Sequence, residues 1–105
     1  MHKMSGWMML ALMAAVAMPA VAQNSGADTY KAKCQMCHGA SGMADTPAGK
    51  MMKVKPITDP EVKKQSEAEM IAATKNGVGK MKAFKDSLSD AQIKGAVAQF
   101  RSFLK

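Results

Sequence analysis

The chain is poor in aromatic rings, acids, histidine and thiols, and each shortage excludes something. Its 105 residues hold one Trp, one Tyr and three Phe. So few rings leave little for stacking on bases, so nucleic acid is not an expected partner. Acidic residues number 8 against 15 Lys and Arg, and no constellation suited to general acid–base chemistry is visible. Histidine occurs only as His2 and His38, and cysteine only as Cys34 and Cys37. A closed structural zinc site takes four ligands, which this inventory reaches only with carboxylates. No run after residue 22 is apolar and long enough to span a membrane, which takes about 20 residues. Repeats, low-complexity tracts and a convincing strand are also missing.

The N-terminus supplies the one long apolar stretch. A short basic region with Lys3 precedes an apolar run from Trp7 to Met18, which ends in "PAVA". Ala20 and Ala22 are the small residues expected before a cleavage point. This layout predicts a secretory signal peptide over residues 1–22, cut ahead of Gln23, and export. A spanning helix would be longer and would not contain Pro19. Gln23 is not a cysteine, so no lipid is expected there. Residues 23–105 then form one small domain with 14 Lys and Arg against 8 Asp and Glu, a charge of +6.

Chemistry concentrates in "CQMCHG", residues 34–39. In an oxidising compartment two cysteines often pair, but so short a loop gains little from closure. A redox dithiol of C-x-x-C type belongs to an α/β pattern, which is not found here. C-x-x-C-H is also the attachment signature of a c-type haem. Residues three apart share one face of a helix. Both sulfurs of Cys34 and Cys37 can thus reach the vinyl groups on one porphyrin edge, and His38 turns its imidazole toward the iron. Export, the pentapeptide and the lack of spare thiols together favour one covalent haem c.

The other iron ligand has to be methionine, lysine or none, since His38 is the only histidine after residue 22. Met36 lies between the cysteines, too near to reach the far face. Met43 is five residues past His38 in a Gly-rich turn, and Met70 falls in a helical pattern that suits a core role. Met51 and Met52 compete from a loop-like region. Met81 is the best placed, because "NGVGKMKAF" carries Gly77 and Gly79 just before it and forms a flexible loop.

Helix signals bracket these motifs. A short helix is expected from Gly26 or Ala27 to about Met36. "GASGMADTPAGK" reads as loop, and Pro60 suits the first position of a helical turn. Ser66 and Glu69 fit a capping box, with Ala68, Ile71 and Ala72 as an apolar side and Gly77 as the stop. Ser89 and Gln92 fit a second box. It opens the longest helix, whose stripe is Ile93, Val97, Phe100 and Leu104. Gly95 within it costs about 1 kcal/mol relative to Ala, which implies a close backbone approach.

"YKAKCQMCHGASG", "NGVGKMKAF" and "LSDAQIKGAVAQFRSFLK", in this order, resemble the class I small monohaem bacterial cytochromes c over nearly all of residues 23–105. The resemblance implies an all-α cytochrome c fold. Three main helices plus loops would wrap round one covalent haem, and the N- and C-terminal helices would cross. It implies His38 and Met81 as axial ligands, and Gly26 and Tyr30 packing near Val97 and Phe100. Pro47 resembles the proline whose carbonyl accepts a hydrogen bond from the histidine's second ring nitrogen. The family commonly has proline after the ligand methionine; Lys82 stands there, so the stiffening a proline supplies is missing. The function implied is a monomeric periplasmic electron carrier, not an enzyme. Its lysines would steer redox proteins with acidic docking surfaces. The alternatives are a haem-binding subunit of a larger oxidoreductase and a five-coordinate haem protein that binds gas or peroxide.

Overall fold

The computed structural model describes residues 25–104; the expected signal peptide and its junction at Gln23 lie outside them. Among the described residues six helices follow in order: α1 (Gly26–Lys33), α2 (Gln35–His38), α3 (Pro47–Met51), α4 (Pro60–Lys63), α5 (Glu67–Asn76) and α6 (Asp90–Ser102). Among the described residues there is no strand, only an isolated bridge between Val78 and Met81. No described helix is long and apolar enough to cross a membrane. The architecture is the expected all-α one, with α1, α5 and α6 as its main helices.

Local chemistry accounts for the ends. Ser66 and Ser89 each form the full capping box, with Glu69 and Gln92 reaching back to the cap N–H. Asp59 caps α4 ahead of Pro60. Thr46 caps α3 ahead of Pro47, so a segment expected to be loop begins a helix. The expected helix from Gly26 to Met36 is interrupted at Cys34, which separates α1 from α2.

The terminal helices cross where two glycines meet. A Cβ on Gly26 would land on the Gly95 carbonyl oxygen, and within 2.6 Å of its carbonyl carbon. The backbone approach inferred from Gly95 is therefore present. Tyr30 continues the contact, with its ring 6.2 Å from Phe100 and 5.3 Å from Phe103.

Ile57, Met70, Phe84, Leu88, Ile93 and Val97 form the core, with Met81, Phe100 and Phe103 packed on it. Two apolar faces differ from expectation. On α5 the buried residues are Met70 and Thr74, while Ala68 and Ala72 are exposed. Leu104 is 41% exposed because α6 ends at Ser102, and the stripe does not continue past it.

Candidate functional site

The site is built on α2, a helix of one turn. Such a helix leaves its last carbonyls without partners of its own. The Cys34 carbonyl accepts from the His38 N–H (3.0 Å) and the Gln35 carbonyl from the Gly39 N–H (2.8 Å). Beyond these, partners come from outside. The His38 carbonyl accepts from the Ala44 N–H at 2.8 Å. The Gly39 carbonyl accepts from the buried Tyr30 hydroxyl at 2.6 Å.

Both thiols are free and half-buried. Burial pushes the Cys34 thiol up to about 11, so it stays protonated at neutral pH. Burial also lowers the His38 pKa, which favours the neutral imidazole that a metal needs. The ring of His38 lies edge-on to Phe100, centroids 5.1 Å apart. Phe100 therefore touches Tyr30 of α1 and His38 of α2 together. No sequence signal separates this role from an ordinary core position.

His38 Nδ1 is buried and has no hydrogen-bond partner. The bond expected from His38 to the Pro47 carbonyl is accordingly not made from this atom. Pro47 is the first residue of α3, and a helix directs its early carbonyls along its own axis to the N–H four residues on.

Met81 sits in a tight turn. Its N–H donates to the Val78 carbonyl (2.8 Å), and its carbonyl accepts from the Val78 N–H (3.0 Å). Gly77 (φ 84°) and Gly79 (φ 56°) supply the left-handed backbone that this turn requires. The side chain of Met81 is half-buried against the core. The competitors differ. Met36 and Met51 are 74% and 77% exposed. Met70 is buried, and its sulfur lies 3.8 Å from Arg101 Nη1.

A porphyrin fits these features. An imidazole that burial keeps neutral stands in a C-x-x-C-H segment whose thiols are both free, which is the donor set a covalent haem needs. Among the described residues six large apolar residues are exposed, and five of them, Met36, Met43, Met51, Met52 and Val78, lie on α2, on α3, between these helices, just after α3 or in the Met81 turn; the sixth, Leu104, follows α6. Among the described residues no group of three or more His, Cys, Asp or Glu could hold a metal ion by itself.

Comparison with known proteins gives the same direction. The family described as "Cytochrome C oxidase, cbb3-type, subunit III" matches residues 21–98. Among solved structures, the chain is similar to "KustC0563 c-type cytochrome", with a TM-score of 0.68 and 28% identity over 75% of this chain and 96% of that one. It is similar also to a point mutant of Kustc0563, with a TM-score of 0.67 and 27% identity over 75% and 98%. No curated protein sequence matches. Matched from ahead of α1 into α6, the chain belongs to the cytochrome c family, in which haem c is covalently bound.

Proposed function

We propose that the protein is a periplasmic carrier of single electrons, with haem c anchored by Cys34 and Cys37 and its iron held between His38 and Met81. The observation that carries this is the C-x-x-C-H segment on α2, with two free thiols and a half-buried imidazole fixed against Phe100. The bound haem supplies one-electron exchange between Fe(III) and Fe(II), and a His/Met pair raises its potential. The residues supply placement. Cys34 at the N-cap of α2 and Cys37 within it carry the two sulfurs, burial holds His38 neutral, and the Val78–Met81 bridge holds the methionine turn. Met81 is favoured over the other methionines because it combines a pinned turn with partial burial.

The test is the visible spectrum of the purified protein in both redox states, with a coulometric titration. One electron per chain, a low-spin His/Met spectrum and no binding of carbon monoxide are expected. Avid carbon monoxide binding by the untreated protein would sink the carrier reading in favour of a gas-binding one.

Lys80, Lys82 and Lys85 are exposed around Met81, as are Lys50, Lys53 and Lys55 after α3 begins. Lys82 Nζ lies 5.4 Å from the Phe84 ring centroid. We read these lysines as steering acidic redox partners. Exposed charges are screened over about 10 Å at 0.1 M salt, so transfer to an acidic partner should slow as salt rises. Lys82→Glu with Lys85→Glu should lower the association rate roughly tenfold or more at low salt, with no change in the haem spectrum. Stopped-flow rates indifferent to both salt and charge would remove the steering role. The family description names an oxidase subunit, which favours a second reading as a docked component of a complex. Native size-exclusion chromatography of an extract distinguishes a free shuttle from such a subunit.

A further inference from the structure

The geometry points to Thr46 as a positioning residue for the attachment segment, a role that rests on the haem reading above. Its hydroxyl donates to the Met36 carbonyl at 2.5 Å and accepts from the Gly49 N–H at 2.9 Å. Met36 is the residue immediately before Cys37, so the bonded carbonyl belongs to the peptide that joins it to Cys37. One hydroxyl thus ties the start of α3 to the middle of α2. The two helices lie so close that a Cβ on Gly49 would fall on the Cys37 carbonyl oxygen and 2.8 Å from the Ala44 carbonyl oxygen. Gly49 permits the approach and Thr46 fixes it.

The consequence follows from the shortness of α2. A single turn has little stability of its own. The turn that must present two sulfurs and an imidazole therefore takes its rigidity from its neighbours. Ala44 and Tyr30 hold the carbonyls of His38 and Gly39, while Thr46 is the side chain bonded within the C-x-x-C loop itself. Freeing the Met36 carbonyl lets the peptide between the sulfurs rotate, and His38 follows on the same turn.

Three substitutions separate this clamp from the capping of α3. Thr46→Val loses donor and acceptor. Thr46→Ser keeps both. Thr46→Asp keeps a good capping acceptor but has no proton to give at neutral pH. Amide hydrogen exchange is read in the haem-loaded protein at Gly39, whose N–H closes α2, with Ile93 of α6 as the internal standard. Loss of one hydrogen bond should speed exchange at Gly39 roughly fivefold in the Val and Asp variants, leave Ile93 unchanged, and be reversed by Ser. The reduction potential of the Val variant should differ from the parent's and that of the Ser variant should not; Asp is read by exchange alone, because its charge would itself move the potential. A Val variant identical to the parent, an Asp variant exchanging like the parent, or a Ser variant that fails to rescue would each overturn the clamp. Should the Val variant not fold, the Asp and Ser pair decides the question. Intact mass separates the two claims. A parent without haem on Cys34 and Cys37 defeats the carrier reading and the clamp with it. A haem-bearing parent with silent Thr46 variants defeats the clamp alone.

Discussion

Met81→Ala is expected to lower the reduction potential by on the order of 0.1 V or more, within the roughly 0.8 V that axial ligation spans, and to admit carbon monoxide to the ferrous protein. Haem should stay attached, because its anchors are Cys34 and Cys37. The fold should also survive. The bridge to Val78 is made by the backbone of Met81, and its side chain is only half-buried. What is lost is a soft thioether that favours ferrous iron. Met51→Ala and Met52→Ala serve as controls, since these side chains are 77% and 36% exposed. Potentiometry and carbon monoxide difference spectra on the three variants decide the ligand. If Met81→Ala matches the parent while a control opens the iron, the axial assignment passes to that control.

Gly26→Ala should destabilise the protein by about 3 kcal/mol or more, the upper part of what overpacking costs. The new methyl meets backbone, the Gly95 carbonyl, which cannot swing aside as a flexible side chain would. Relief requires α1 and α6 to separate, which also loosens Tyr30 from Phe100 and Phe103. For a domain of this size that loss shifts the melting temperature by more than about 10 °C. Gly95→Ala is the contrast. Its Cβ would sit 3.1 Å from Gly26 Cα, a tight contact partly offset by about 1 kcal/mol of helix propensity, so its net effect should be small. Thermal and guanidinium unfolding of both variants tests the pair. Equal melting of Gly26→Ala and the parent would show that the crossing relaxes freely.

Features written in a few neighbouring residues are legible in the sequence. Both capping boxes and the helical turn at Pro60 form as expected, because a cap is a local exchange of hydrogen bonds. The pentapeptide is equally plain. Features that depend on distant partners are not. α3 exists beside α2 because Gly49 lets it lie on Cys37, although Thr46 followed by Pro47 does carry a start signal inside a segment whose composition reads as loop. Ala68 and Ala72 look like an inward face of α5, yet Met70 and Thr74 hold that place; small residues carry too little apolar surface to dictate rotation of a helix. α1 ends at Cys34, where no breaker residue announces a stop. The orphaned nitrogen of His38 has no sequence signature at all.

Phe100 ties the attachment segment to a distant part of the sequence. The cysteines and His38 lie near the N-terminal end of the described chain, and the ring that backs the imidazole lies on its last helix, sixty-two positions later by residue number. The pentapeptide is therefore complete as chemistry without α6, but its imidazole has this ring wall only when α6 is packed in place. The site closes between two segments far apart in sequence, so its order is a property of the packed domain and not of the pentapeptide alone.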